Sequence, residues 1–356
     1  MATSDPAAPA RTWRQRIFGK HPIRRAVLLV ALALVVEYLV LPQIAGVRKS
    51  FHLLSTVNLG LVLVGAGLEV LSLASYAELT RAVLPKGATT FVRAWGIDLS
   101  TLSVSHILPG GTAGGDGVGY QLLTREGVSG SDAAFALATQ GIGSAVVLNV
   151  LLWCALVVSI PLYGFNPLYA AAAAVGIVLL GAFAGLILLF GKGEKRAIAI
   201  VRRLSFHIPK LTPERAEEIV ADLSARVRTM AADPSLLRRA VLWAAANWLL
   251  DAASLWVFLA AFGHIESVDG LLVSYGLAYV LAAIPITPGG LGVVEGVLVP
   301  TLVGFGATRG VATLGVLGYR LFNFWVPIPV GGGAYLSLRR KKAVGGADPA
   351  ITRSPS

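Results

Sequence analysis

The sequence predicts an all-α polytopic membrane protein of about six full crossings, built as an inverted-topology repeat in which each half holds a re-entrant helical hairpin. Three observations predict it. Hydrophobic residues make up 55% of the chain and charged ones 14%; apolar runs recur at bilayer length; and one Pro-Gly-Gly pattern occurs twice, 179 residues apart. With a mean hydropathy of +0.73, the chain has lipid for its solvent, because an ordinary soluble domain carries far more charge.

A helix needs about 20 apolar residues to cross the hydrocarbon core. Runs of that order lie at 26–44, 53–80, 133–160, 167–190, 240–262 and 311–338. The first follows a basic stretch (Arg11, Arg14, Arg16, Lys20, Arg24, Arg25), as a secretory leader would, but no small-residue cleavage site closes it near Pro42, so an uncleaved helix is expected. The chain then divides into a basic arm (1–25), the first helix and loop (26–52), a first half (53–190), a linker (191–239), a second half (240–338) and a basic tail (339–356).

The net charge of +11 excludes little until it is placed. It gathers in the arm, in the linker and in Arg339, Arg340, Lys341 and Lys342, each beside a spanning run. Cytoplasmic flanks are charged in this way, so both termini are expected on the cytoplasmic side of the cell membrane. Such flanks also attract anionic lipid head groups, and nucleic acid is not expected as a partner. The single cysteine, Cys154, lies in an apolar run and precludes an internal disulfide.

Parity supplies the two hairpins. If residue 1 is cytoplasmic, residue 90 is cytoplasmic again after two crossings. The segment 192–239, with eleven Lys or Arg, is cytoplasmic too, and the loop 161–166 has none. Residues 90 and 132 therefore share a face, and the apolar stretch 94–108 between them dips in and returns. The same count from the basic tail makes 270–308 a dip from the outer face. Non-helical backbone at that depth is tolerated only against protein or a polar cavity.

The dips share a pattern. Pro109-Gly110-Gly111 is followed by Asp116-Gly117, and Pro288-Gly289-Gly290 by Glu295-Gly296; the same offset pairs Gly127 with Gly306 and Ala133 with Ala312. A Pro-Gly-Gly turn ends one half-helix and starts another inside the membrane. The exposed N–H groups of the new half-helix suit an anion such as a phosphate. Asp116 and Glu295 stand where an acid caps that helix, pairs with a base or carries a proton, while Gly114, Gly117 and Gly119 also suit close helix packing.

Arg320 interrupts the run 311–338 too deep to snorkel easily, and its expected partner is Glu295 or a lipid phosphate. The first half has Gln140-Gly141 at the equivalent place, with Arg125 as its nearest basic candidate. Glu37, Glu69, Glu78, Asp98, His106, Asn247, Asp251 and Asn323 are further polar groups inside apolar runs. Five histidines and one cysteine without HExxH or CxxC spacing argue against a metal. GGTAGGDG lacks the lysine of a nucleotide loop, so neither ATP nor another cofactor is expected. In the linker, Thr212-Pro213-Glu214 opens a helix with Ile219, Leu223, Val227 and Met230 on one face, expected to lie on the membrane surface.

The pair PGGTAGGDG…LLTREGVS and ITPGGLGVVEG…GYRLFNFWVP resembles the lysylphosphatidylglycerol synthase transmembrane family, also described as flippase-like, over residues 53–338. Pro288, Gly289, Gly290, Gly292, Glu295, Tyr319 and Arg320 occupy the family's places; Gln140-Gly141 departs where an arginine is common. The resemblance implies a membrane domain that flips aminoacylated phospholipid in larger relatives carrying a soluble synthase domain. This chain ends soon after its last helix, so the synthase itself is not expected.

Three functions follow as expectations. The first is a lipid translocase whose substrate, an anionic phospholipid, an aminoacyl-lipid or a glycolipid or polyprenyl-linked lipid, meets Pro109, Gly110, Gly111, Asp116, Arg125, Pro288, Gly289, Gly290, Glu295, Tyr319, Arg320 and Asn323. The second is a membrane scaffold of a lipid-modifying glycosyltransferase, and the third a membrane-embedded lipid transferase using Asp116 or Glu295 as base. Membrane lipids are the expected partners, with a lipid-modifying enzyme or a second copy of the chain as protein partners.

Overall fold

The computed structural model describes residues 57–108, 111–163, 167–191, 221, 225, 232–283 and 287–345, all within the compact unit Lys49–Ser356. The basic arm, the helix expected at 26–44, most of the linker with its amphipathic helix, and residues 346–356 lie outside the described residues. So do Pro109 and Gly110.

Every regular element among the described residues is helical: α1 (Leu59–Val83), α2 (Phe91–Ile107), α3 (Thr112–Arg125), α4 (Gly130–Ala138), α5 (Ser144–Tyr163), α6 (Pro167–Gly191), α7 (Pro234–Ala261), α8 (Val268–Ala282), α9 (Val293–Gly304), α10 (Arg309–Arg320) and α11 (Pro327–Gly345). A single wide π turn joins α4 to α5 (Thr139–Gly143), and another joins α10 to α11 (Leu321–Trp325). Among the described residues, four stretches are long and apolar enough to cross a membrane: Leu59–Val83, Gly130–Pro161, Pro234–Ala261 and Arg309–Arg340. They match four of the expected runs, and the run at 167–190 is helix α6. Helices α3, α8 and α9 have 14, 15 and 12 residues; at 1.5 Å per residue they reach roughly 18 to 23 Å, short of the ~30 Å core.

Local geometry repeats at the offset of the Pro-Gly-Gly pair. Ser129 and Thr308 each cap a helix, accepting from the N–H of Asp132 and of Val311. Just before each cap, α3 and α9 end the same way: Val128 N–H donates to Leu123 O and Ala307 N–H to Leu302 O. The bonds turn on Gly127 and Gly306 at φ 93° and 118°. An L side chain at either position meets its own backbone, so glycine is what lets the chain turn there.

The packing exchanges helices between the halves. One apolar core joins α8, α9 and α10 with the end of α7 and, from the first half, α5 and α6; Leu152, Leu156, Leu255, Phe258, Leu298 and Tyr319 belong to it. The other joins the end of α1 with α2, α3, α4 and the start of α7, and Tyr335 and Leu338 of α11 pack against it. The spans Gly130–Pro161 and Arg309–Arg340 thus pass from one core to the other, and each makes its wide turn between them.

Lipid tails are as apolar as leucine, so helices in a bilayer associate through close backbone approach and hydrogen bonds rather than burial from water. Both occur where α1 crosses α7. Ser254 Oγ donates to Gly65 O at 3.0 Å, and Asn247 Nδ2 donates to Ser72 Oγ at 2.8 Å. Helix α11 lies against α2, where Ser103 Oγ donates to Ile328 O at 2.7 Å. The surface pairs Arg81–Glu78 and Arg93–Glu126 each add at most about 1 kcal/mol.

Helix α7 starts on Asp233, whose Oδ1 accepts from Ser235 Oγ at 2.8 Å and from the N–H groups of Ser235 and Leu236 at 2.9 and 3.1 Å. The Ser235 hydroxyl first, then the Leu236 N–H, hold this exposed carboxyl below its ordinary value of 3.8. A depressed carboxyl stabilises the fold above its unfolded pKa and stops doing so as pH falls through the folded one. Asp233→Ala is expected to speed amide exchange in the first turn of α7 at neutral pH, and Asp233→Asn to preserve it. Below the folded pKa, wild type and Asp233→Asn should exchange alike; unchanged exchange in Asp233→Ala at neutral pH would count against the cap.

Candidate functional site

Gly111, the last residue of the first motif, meets the second Pro-Gly-Gly turn. A Cβ added to Gly111 would lie 3.5 Å from Gly289 N and 3.9 Å from Pro288 Cα, so the loops touch through backbone. Gly289, at φ 54°, is enclosed further: a Cβ there would lie 2.5 Å from the His106 ring and 2.6 Å from that of Phe324. His106 ends α2 in the first half and Phe324 sits in the wide turn of the second. Their rings stack at 4.2 Å, and Nδ1 of His106 lies 3.0 Å from Phe324 O.

Arg320 holds this junction from the side of α10. Its Nε donates to Glu295 Oε1 at 2.6 Å, Nη1 to Asn323 Oδ1 at 3.2 Å and Nη2 to Gly289 O at 3.4 Å. The guanidinium also lies 4.4 Å from the Phe324 ring centroid. Arg320 is 2% exposed and Glu295 7%, so the ion pair lies out of reach of lipid and water. Of the two partners expected for Arg320, the structure gives it Glu295.

Glu295 has a second task. Its Oε2 accepts from Gly292 N–H at 2.6 Å, closing the first turn of α9. The helix N-terminus that the sequence offers to an outside anion is therefore filled by the chain's own carboxylate, which stabilises it as any anion would. Asp116 differs despite its matching place in the motif. Helix α9 starts after Gly292 but α3 after Gly111, two residues earlier in the pattern, so Asp116 sits deeper in α3 and half-buried; no hydrogen bond to it is seen among the described residues.

Behind Arg320 the polar network continues. Asn323 Nδ2 donates to Asp251 Oδ1 at 2.9 Å, and the Tyr319 hydroxyl reaches both Asp251 oxygens at 3.0 Å. The Tyr275 hydroxyl donates to Asp251 Oδ2, and those of Tyr279 and Tyr319 bond each other. The first half holds a smaller buried cluster: Thr80 Oγ1 donates to Asp98 Oδ2 at 2.6 Å, and Gln140 Nε2 lies 3.3 Å from Asp98 Oδ1. Gln140 thus satisfies a buried acid where the second half has its Tyr319-Arg320 pair.

Of the expected site residues, the structure brings together Gly111, Pro288, Gly289, Glu295, Tyr319, Arg320 and Asn323, with Gly290 buried under the turn. Arg125 lies apart, exposed at the end of α3 beside a small cavity that Ile97, Glu126, Leu338 and Arg339 also line. His106 serves the junction through stacking on Phe324. Phe324, Tyr275 and Tyr279 were missed from sequence. The spacing of the tyrosines, four apart in an apolar helix, placed them on one face but did not show what that face meets.

Long apolar helices around a buried charged junction define a multi-pass α-helical membrane protein. Residues 26–331 match the family described as the lysylphosphatidylglycerol synthase TM region, and the chain belongs to that family. It is also similar to a UPF0104 membrane protein of Methanothermobacter thermautotrophicus, 21% identical over 233 residues that cover 63% of this chain and 69% of the relative.

Proposed function

We propose that the chain translocates a lipid with an anionic head group across the cell membrane, with its two halves inserted in opposite orientation and both termini cytoplasmic. The observation that carries this reading is the junction of Arg320, Glu295, Gly111 and the second Pro-Gly-Gly turn. Glu295 presents to Arg320 and to the start of α9 the carboxylate that a phosphate would replace. The head group enters by displacing Glu295, acyl chains stay in lipid, and the conformation described here is the closed one. Thr287 Oγ1, beside the second turn, is buried without a hydrogen-bond partner among the described residues and supplies a further donor to an incoming phosphate.

Two repeats around one site give two states of similar energy, open to opposite faces. The exchanged packing makes the moving bodies the two cores rather than the two sequence halves. The test is head-group accessibility in proteoliposomes with fluorescent phosphatidylglycerol against a neutral glycolipid of the same tail. Faster transfer of the anionic lipid is expected. In cells, deletion of the gene is expected to trap a lipid species on the wrong leaflet; complete loss of that species would instead point to synthesis and overturn the reading.

A further inference from the structure

Between α1 and α7 the structure buries two carboxyls side by side, Glu69 at 3% exposed and Asp251 at 4%. Asp251 is surrounded by donors from Tyr275, Tyr319 and Asn323. Glu69 has Asp251, Ser254 and Asn323 as hydrogen-bonding neighbours, yet its Oε1 is buried without a hydrogen-bond partner among the described residues. A polar atom so placed is normally satisfied by a proton, a water or a ligand.

Charge narrows the choice. The connected network holds three carboxyls, Glu69, Asp251 and Glu295, and one guanidinium, Arg320, which Glu295 engages. The other groups facing the pair are Tyr275 and Tyr279 of α8 and Tyr319 of α10. Charged groups on neighbouring elements are held elsewhere. Arg81 of α1 pairs with Glu78, and Arg93 of α2 with Glu126. Asp98 bonds Thr80 and Gln140, His106 stacks on Phe324, and Asp132 of α4 bonds Ser129. Arg238 and Arg239 are exposed at the start of α7 and Arg309 at the far end of α10, while α5 has no Asp, Glu, Lys, Arg or His. Two adjoining carboxylates in such a medium do not both ionise; one proton between them removes the repulsion.

We propose that Glu69 and Asp251 share an exchangeable proton and that its uptake and release couple lipid translocation to the proton gradient, a coupling that rests on the translocation reading above. The proton sits between one oxygen of each carboxyl and leaves to water when α1 and α7 separate; only O–H bonds are made and broken. The pair is well placed for this. Each of the two helices touches both cores, so a tilt of one core against the other changes the distance between the acids. Asn323 then links the pair to the head-group site, because it bonds Asp251 on one side and Arg320 on the other.

Infrared difference spectra of the full chain in nanodiscs, between acid and alkaline pH, test the proton directly. A protonated-carboxyl band sensitive to D2O is expected in the wild type and is lost in Glu69→Gln and in Asp251→Asn. A band kept by both variants, or absent from the wild type, overturns the shared proton; its removal by Na+ at fixed pH assigns the pair to a metal cation and overturns it equally. Should a variant fail to fold, the wild-type band and its response to Na+ still decide. In proteoliposomes with fluorescent phosphatidylglycerol, a gradient of one pH unit is expected to shift the steady-state distribution up to about tenfold for one proton per lipid, and the shift disappears in both variants. Lipid movement indifferent to the gradient overturns the coupling and leaves translocation standing. No movement under any gradient, with the band intact, overturns translocation and coupling while the proton pair stands.

Discussion

Replacing Arg320 by alanine is expected to abolish lipid translocation and to cost about 3 to 5 kcal/mol of stability, the range for breaking a buried ion pair by removing one partner. The reason is what stays behind. Glu295 would keep its bond to Gly292 N–H but would lose the guanidinium 2.6 Å away while remaining 93% buried, the complement of its 7% exposure. Gly289 O and Asn323 Oδ1 would lose donors as well. Glu295→Gln is expected to be milder in stability, because the amide keeps the shape and one hydrogen bond. The double variant Arg320→Met with Glu295→Gln should recover part of the loss, since no charge is then left unpaired. Denaturation in detergent measures the stability cycle, and proteoliposome transfer measures function. If Arg320→Ala moves lipid at the wild-type rate, the assignment of the head-group site is wrong even where the stability loss appears as expected.

The second large effect is expected at a glycine. A Cβ on Gly331 would fall 2.0 Å from Leu99 O and 2.7 Å from the Ser103 side chain. The first of these is backbone of α2 and cannot rotate away, so α11 must back off along its contact with α2 and give up the bond from Ser103 to Ile328 O. Gly331→Ala is therefore expected to destabilise by roughly 1 to 3 kcal/mol, against a gain of about 0.5 to 1 kcal/mol from helix propensity. The neighbours supply the control: added Cβ atoms at Gly332 and Gly333 meet nothing within 4 Å, so alanine there should be neutral or mildly stabilising. Thermal unfolding of the three variants side by side checks this. Equal effects at all three would mean that α11 does not approach α2 as closely as described.

Those three glycines also show where sequence reading stops. Gly331, Gly332 and Gly333 are chemically identical and adjacent, and only the position of Leu99 O, 232 residues earlier (331 − 99), separates them. The Pro-Gly-Gly pair was legible because proline and glycine impose conformation locally, whatever surrounds them. Arg320 and Glu295 were legible because a charge at membrane depth needs a partner and few were on offer. That an acid could cap the new half-helix was legible as well, but that Glu295 caps its helix and Asp116 does not was hidden, since it depends on α9 starting two residues later in the motif than α3. Arg125 was misplaced for the opposite reason: basic and near the first motif in sequence, it lies at the far end of a helix that carries it away from the junction. The acid pair was half visible. Glu69 and Asp251 stood out as polar residues in apolar runs, but their meeting depends on the crossing of α1 over α7.

The exchange of helices between the halves also sets an order of events at the ribosome. Helix α2 emerges early with Ser103 and His106 on it, yet the residues that satisfy them, Ile328 and Phe324, are made more than 200 residues later (328 − 103 = 225 and 324 − 106 = 218). For most of synthesis α2 has no mate and must be sheltered by the insertion machinery or held at the membrane surface. Nascent chains halted before α11 should therefore be degraded as unfinished, however well their own helices have formed.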